Sequence, residues 1–280
     1  MAEMTDGSLG RVTTAETREL RGIAHKFVVA RRAAESPIVY PGAYPRSLDE
    51  AYRIQDLAIA EDGDRIIGWK VGRIGEADLP NYDVNRLAGP IFARFVHDYD
   101  GTPIAMPIFA GGFGAAEAEF LLRIGRDVAP DRTSYTMDQA ADLVDAVHVG
   151  IEIASSPFPG INANGPAVTI SDFGNNNGLI VGAAVSNWRS SGFERWPVSL
   201  AIDGKEVGRA TTETMLDGAV GAVRFLLELL ARRGIAIPAG SWVSTGAVTG
   251  VHEVRPGQKV VARFNDDLAV ICMIKAAQTA

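Results

Sequence analysis

Cysteine is almost absent from this 280-residue chain, whose only thiol belongs to Cys272. A single cysteine forms neither an internal disulfide nor a thiolate metal cluster, which excludes a disulfide-stabilised scaffold and fits a reducing cytosol. Histidine is scarce as well, and the four histidines show no metal-ligand spacing. They are His25, His97, His148 and His252.

Clustered positive charge and long apolar runs are also missing. The net charge is −7 and no basic block occurs, whereas phosphate binding needs clustered Lys and Arg, so nucleic acid is not an expected partner. No apolar run approaches the roughly 20 residues of a membrane span, and the acidic start Met1–Asp6 lacks a hydrophobic signal core. The sequence therefore predicts a cytoplasmic protein that neither crosses nor binds a membrane.

Helical signals are concentrated in the first third of the chain. Residues 1–12 are predicted to form a loose tail, and a first strand is predicted at residues 66–71. Between them lie two capping boxes, each a hydroxyl residue followed three positions later by Glu, and both precede apolar residues at helical spacing. We assign residues 1–95 to a helical amino-terminal region. The capping boxes are Thr13 with Glu16 and Ser47 with Glu50.

The remaining residues, 96–280, mostly show the pattern of short strands separated by turns. Asp203-Gly204 between two apolar segments predicts a β-hairpin, and residues 218–233 predict a long apolar helix. A short helix is also predicted, beginning after Thr136 and extending to Val147. Few helices on a strand-rich body indicate the α+β class, and we assign residues 96–280 to a β-rich catalytic body.

Three glutamates stand in apolar segments of this body. Glu117 and Glu119 lie two residues apart in Ala115–Leu122, so on a strand both project from one face. Glu152 stands alone in the apolar run Val149–Ala154. Buried carboxylates take up a proton or collect a cation, and three together would bind a hard divalent ion through oxygen. The alternative is that the pair faces solvent and that Glu152 pairs with a Lys or Arg.

Lys70 stands between glycines in Gly68–Gly72, at the end of an apolar strand where a ligand can approach the backbone closely. It either neutralises a substrate carboxylate or carries a proton, the alternative being an edge lysine that protects the strand. Polar loops offer further groups, unless they are ordinary turns. Asp172 is a candidate catalytic carboxylate. The candidate substrate-binding residues are Arg73, Asn176, Thr245 and Gly246.

Taken in order, these segments resemble the 2-keto-4-pentenoate hydratase family of the fumarylacetoacetate hydrolase superfamily, from about residue 48 to residue 275. The resemblance implies a mixed β-roll or barrel with a small helical region, assembled into homo-oligomers. It also implies Mg²⁺ or Mn²⁺ held by Glu117, Glu119 and Glu152, with Lys70 facing the substrate. The segments that carry the resemblance are Gly68–Gly72, Glu117–Glu119, Ile151–Ile153, Ser171-Asp172, Asp203–Lys205 and Ser244–Gly246.

The activity that the resemblance implies is hydration of a small 2-hydroxy-2,4-dienoate, the enol of a 2-keto acid, to a 4-hydroxy-2-keto acid. Two sister reactions stay open. Decarboxylation needs a substrate with a second carboxylate, and Arg73 is the only residue that indicates one. C–C hydrolysis of an acylpyruvate needs a His–Glu pair, and no His stands beside a Glu in the sequence before the Glu117 strand. A non-catalytic protein stabilised by a cation is the alternative from another class, although such a protein needs no lysine beside its acids.

Overall fold

The computed structural model describes residues 14–265 and 267–279. The predicted tail 1–12 and Thr13 of the first capping box lie outside these residues. Ser47 does cap a helix, because its hydroxyl accepts a hydrogen bond from the backbone N–H of Glu50. The helices are α1 (Thr14–Ala33), α2 (Leu48–Asp62), α3 (Met137–Ala141), α4 (Pro166–Ser171), α5 (Trp188–Ser191) and α6 (Gly218–Arg232).

The strands belong to two mixed sheets. They are β1 (Ile66–Arg73), β2 (Arg86–Phe92), β3 (Val96–Asp98), β4 (Ile104–Ile108), β5 (Phe113–Ile124), β6 (Val144–Ser156), β7 (Asn176–Ala184), β8 (Val198–Ile202), β9 (Lys205–Ala210), β10 (Trp242–Ser244), β11 (His252–Glu253), β12 (Lys259–Phe264) and β13 (Leu268–Ala276). The larger sheet has the order β2-β1-β10-β5-β6-β7-β3, with β11 paired to β5, and the smaller has the order β4-β13-β12-β8-β9. The predicted α+β class with a mixed β-roll is confirmed.

The larger sheet contains strands from both predicted regions, 1–95 and 96–280. Strand β1 of the first region pairs in parallel with β10 of the second and antiparallel with β2 of its own region. The helices α1 and α2 pack together beside this sheet, and a second core cluster joins Phe27 of α1 and Ile54 of α2 to Phe92 and Phe173. The division of the chain at residue 95 stays a prediction about domain organisation. No helix in the described ranges is both long and apolar enough to span a membrane.

Alternation along β5 sorts its side chains between two environments. Ala118 and Phe120 belong to the main core, which also contains residues of the smaller sheet and of α6. Glu117 and Glu119 project from the opposite face. On that face the turn that precedes β7 lies against β2, because a Cβ added at Gly89 would stand only 1.9 Å from the carbonyl oxygen of Phe173.

Local signals gave some elements correctly and one incorrectly. The hairpin β8–β9 is confirmed, with φ of 49° at Asp203 and 82° at Gly204, and so is the long helix α6. The helix after Thr136 begins with a capping box formed by Thr136 and Gln139 but ends at Ala141, and Val147 lies in β6 instead. The reason is tertiary: β6 is held between β5 and β7, where Val147 is buried.

Candidate active site

Three buried carboxylates converge on the face of β5 and β6 that lies opposite the main core. The antiparallel register places Glu117 directly across from Glu152 and Glu119 across from Gly150. Opposed residues of antiparallel strands project to the same side of a sheet. One carboxylate oxygen from each of the three glutamates lies within 4.8 Å of the others, and none of the three residues is more than 5% exposed.

The hydrogen bonds around these carboxylates are incomplete. The hydroxyl of Ser244 and the backbone N–H of Gly246 donate to Glu119 Oε2, and the side-chain amide of Asn176 donates to Glu152 Oε1 at 2.9 Å. Glu119 Oε1 and Glu152 Oε2 have no hydrogen-bond partner among the described residues. A buried acceptor without a partner is costly, so the three glutamates fit a hard divalent cation such as Mg²⁺ or Mn²⁺, which prefers carboxylate oxygens.

Burial disfavours ionisation of these acids. It raises the pKa of Glu117 to about 7, although the ammonium of Lys70 acts in the opposite direction. Burial, followed by repulsion from Glu152 and Glu117, holds the pKa of Glu119 well above its ordinary value. The cluster therefore retains protons near neutral pH unless a cation compensates its charge.

The pH dependence of stability should follow from these shifts. Because the pKa values of Glu117 and Glu119 are raised above their unfolded values, the folded state retains protons that the unfolded state has lost. Without a cation, the contribution of Glu117 to stability is fully present below pH about 4.5 and is lost as the pH rises through about 7, whereas that of Glu119 changes in the same direction. Cation binding requires ionised carboxylates, so Mn²⁺ should stabilise the protein more as the pH rises over the same interval.

The expected thermal shift is measurable. At a fixed Mn²⁺ concentration of about 100 times the Kd at pH 8, stabilisation should reach about 2.7 kcal/mol, which corresponds to a rise in Tm of roughly 5 °C for a chain of this size. We expect this shift near pH 8 and a much smaller shift near pH 5.5, measured by calorimetry. Equal shifts at both pH values would contradict the raised pKa values as the cause.

Lys70 lies beside the acids on β1. Its Nζ stands 3.6 Å from Glu152 Oε1 and donates a hydrogen bond to Asn175 Oδ1 at 3.2 Å. Burial lowers the pKa of Lys70, but the attraction of the three glutamates outweighs burial and raises the pKa overall. Lys70 therefore stays protonated inside the site, and its charge compensates part of the negative charge of the cluster.

A cavity of about 710 Å³ opens above this cluster. Lys70 and Glu117 line it, whereas Glu119 and Glu152 are not among its lining residues. This volume is that of a small-molecule site with a few polar groups at defined positions. Further polar lining residues are Arg73, Asp78, Arg86, Asn162, Thr169, Asn175, Thr214, Thr245 and Glu253.

The structure brings some predicted substrate-binding residues to the cavity and engages others elsewhere. Arg73 lines the cavity, but strand alternation puts its side chain out of phase with Lys70, and its guanidinium pairs with Glu76 at 2.9 Å. Thr245 also lines it, with its hydroxyl donated to the carbonyl of Phe120 at 2.8 Å. Gly246 lines it too, and its N–H is one of the donors to Glu119.

Asn176 and Asp172 do not line the cavity. Asn176 donates to Glu152, so it supports the acids and does not reach into open space. The carboxylate of Asp172 is buried under the guanidinium of Arg31, with Nε–Oδ1 at 2.6 Å and Nη2–Oδ2 at 2.9 Å. A catalytic role of Asp172 stays a prediction, and the observed contact is structural.

Several residues that build the site were not singled out from the sequence. Ser244 belongs to the segment Ser244–Gly246, and Asn175 directly precedes Asn176, so their sequence position beside candidate residues was the available signal. The sequence pattern also pointed to Arg31, which follows the buried residues Phe27 and Val28 by four and three positions and so lies on the same face of the helix. A charged residue at a buried helical phase indicates a partner inside the protein.

The chain is similar in sequence and fold to several known enzymes. No family model matches the chain. A 4-oxalocrotonate decarboxylase of Pseudomonas sp is 28% identical over 219 residues, covering 75% of this chain and 80% of the relative. A 2-keto-4-pentenoate hydratase of Burkholderia vietnamiensis is 25% identical over 222 residues, covering 77% and 81%. The solved 4-oxalocrotonate decarboxylase of Pseudomonas putida G7, complexed with magnesium and adipate, has a TM-score of 0.77 at 19% identity, over 95% of this chain and 100% of that one.

The fold is similar to that of this decarboxylase and, with a TM-score of 0.53 over 76% of this chain, to that of a fumarylpyruvate hydrolase of Pseudomonas aeruginosa complexed with Mn²⁺ and pyruvate. The predicted resemblance to the 2-keto-4-pentenoate hydratase family is confirmed, because relatives of that name and their sister decarboxylases match about three quarters of the chain. The chain is thus similar to enzymes of 2-keto acid metabolism, and the buried glutamate cluster stands in a fold whose solved examples include a magnesium complex.

Proposed function

We propose that this protein is a lyase, dependent on Mg²⁺ or Mn²⁺, that hydrates a small 2-hydroxy-2,4-dienoate to a 4-hydroxy-2-keto acid. The observation that carries the proposal is the combination of Lys70 with three convergent glutamates, two of whose oxygens lack partners, at a cavity of about 710 Å³. A cation site that serves only the fold needs no lysine beside it, and this favours an enzyme over a non-catalytic binding protein.

Each group in the site has a role that its position supports. Glu117, Glu119 and Glu152 would hold the cation, which supplies Lewis-acid stabilisation of negative charge on the substrate oxygens. Lys70 faces the cavity as a protonated amine, so it can bind the substrate carboxylate or deliver a proton to the far end of the dienol. Water then adds at C4, with its hydroxyl on C4 and its proton on C3, which completes a 4-hydroxy-2-keto acid.

Decarboxylation is the second candidate, and two observations favour it. The relative with 28% identity is named a decarboxylase, and Arg73 lines the cavity, where it could receive a second carboxylate. In that reaction the substrate loses a carboxylate as CO₂, and Lys70 would donate the proton that replaces it. The shared lysine and glutamates do not distinguish the two reactions, since both pass through an enolate of a 2-keto acid.

C–C hydrolysis of an acylpyruvate has weaker support. The structure does contain a His–Glu pair, because His25 Nδ1 lies 2.7 Å from Glu61 Oε1 across α1 and α2. Sequence neighbours could not reveal it, since the two residues come together only when the helices pack. The His25 side chain is 60% exposed and does not line the cavity of Lys70, so this pair is not placed to activate water there.

A product assay separates these reactions. We expect the protein with Mn²⁺ to bleach the absorbance of 2-hydroxypenta-2,4-dienoate and to form a 4-hydroxy-2-keto acid, with no activity in EDTA. Stoichiometric CO₂ from a 2-keto dicarboxylate would show that the protein is the sister decarboxylase, and two acids from an acylpyruvate would show hydrolysis. No turnover with any of the three, in protein shown to bind Mn²⁺, would favour the binding protein. The homo-oligomer that the resemblance implies stays part of this proposal and can be measured by light scattering.

A further inference from the structure

The guanidinium of Arg31 holds both ends of the turn at residues 172–177. Besides its two bonds to the Asp172 carboxylate, Nη1 donates to the carbonyl of Asn176 at 3.3 Å and to Asn177 Oδ1 at 3.1 Å. Nη2 also donates to the carbonyl of Ser155, at the end of β6, at 3.1 Å. The Arg31 side chain is only 8% exposed. Its buried guanidinium therefore links helix α1 to both ends of the turn and to strand β6, which carries Glu152.

The turn held in this way has an unfavourable backbone. Three consecutive residues are left-handed: Phe173, Gly174 and Asn175 have φ of 55°, 62° and 59°. Only glycine adopts this region without a steric penalty, so Phe173 requires the surrounding structure to enforce its conformation. Arg31 supplies part of this enforcement, since its guanidinium carbon lies 5.0 Å from the centre of the Phe173 ring.

The side chains that touch the reactive groups lie inside the clamped span. Asn175 accepts a hydrogen bond from Lys70 Nζ at 3.2 Å, and its amide nitrogen donates to Asn162 Oδ1 at 2.9 Å. Asn176 donates to Glu152 at 2.9 Å. A relaxation of the turn would therefore displace the partners of both the lysine and one glutamate in a single movement.

We infer that Arg31 is a positioning residue of the active site, which fixes the strained turn 172–177 so that Asn175 orients Lys70 and Asn176 orients Glu152. Helix α1 is then part of the site, because it supplies the guanidinium that holds the turn. Groups that orient metal ligands change metal affinity by about 10- to 100-fold when they are removed. The inference rests on the proposed function only for the identity of the reaction.

The test is Arg31→Lys, which keeps a cation next to Asp172 but removes the planar fork. Arg32→Lys is the matched control, because Arg32 is the next residue of α1, is exposed, and donates to the carbonyl of Glu61 at 2.9 Å. We expect the Kd for Mn²⁺, measured by calorimetry without substrate, to rise about 10- to 100-fold in Arg31→Lys and to stay unchanged in Arg32→Lys. At saturating Mn²⁺, kcat should also fall in Arg31→Lys, since Lys70 loses its orientation.

Other outcomes would overturn the inference. If Arg31→Lys lowered Tm but left the Kd for Mn²⁺ and kcat at the control values, Arg31 would serve the fold alone. If Arg31→Lys failed to fold, Asp172→Asn would remove the charge on the other side of the ion pair, and the same rise in the Kd for Mn²⁺ is expected. If neither variant folded, the Arg31–Asp172 pair would serve the stability of the fold alone, which would also overturn the inference. Parent protein that bound no Mn²⁺ would also overturn it. Parent protein that bound Mn²⁺ without turning over any 2-keto acid would refute the proposed function, while the comparison of Kd values would still decide the role of Arg31.

Discussion

Glu119→Gln should abolish Mn²⁺ binding and, with it, activity. Glutamine keeps an oxygen for Ser244 and Gly246 but puts an amide where Glu119 Oε1 now lacks a partner. The loss of one anionic ligand at the buried centre should weaken Mn²⁺ binding by more than the about 10- to 100-fold caused by removing an outer partner. The metal-free variant should be at least as stable as the parent, because a buried ionisable group has been replaced by a neutral one.

Calorimetric titration with Mn²⁺, thermal unfolding without metal and the dienoate assay together check this prediction. Glu206→Gln is the control, since Glu206 is a half-exposed acid of β9 whose carboxylate pairs with Arg209 away from the cavity. Its Mn²⁺ affinity and turnover should match the parent. Parent-like Mn²⁺ binding in Glu119→Gln would show that the cluster is not the cation site, and parent-like activity in EDTA would show that the reaction needs no cation.

Lys70→Met should remove turnover while leaving Mn²⁺ bound. Methionine keeps an unbranched apolar stem that ends at the ε carbon, and it carries neither the charge nor the protons of Nζ. Positioned proton transfer contributes about 10²- to 10⁴-fold to rate, so kcat should fall by a factor in that range. Mn²⁺ binding should persist near pH 8, because the three glutamates that would hold the cation are unchanged.

The matched control is Lys205→Met, which changes an exposed lysine at the start of β9. The decisive comparison is kcat at saturating Mn²⁺ for the two variants. A kcat in Lys70→Met within a few fold of the control would exclude a role for Lys70 in proton transfer, and an unchanged KM would exclude a role in carboxylate binding. Loss of Mn²⁺ binding in Lys70→Met alone would assign the lysine to the stability of the cluster.

The sequence by itself determined the features that depend on neighbouring residues. The two-residue repeat put Glu117 and Glu119 on one face of a strand, since side chains alternate whatever the strand pairs with. Asp203-Gly204 specified its hairpin because both residues tolerate positive φ. Ser47 specified the start of α2 because its hydroxyl satisfies a backbone N–H within the same turn.

Only the tertiary structure decided which distant groups meet. The register between β5 and β6 sets Glu152 opposite Glu117, and helix packing brings Arg31 onto Asp172 and His25 onto Glu61. The same pairing of strands, not local propensity, took Val147 from the predicted helix into β6. Local sequence patterns determine which face of a strand or helix a residue occupies. Contacts between segments far apart in the chain follow from the packing of whole elements, which no short pattern specifies.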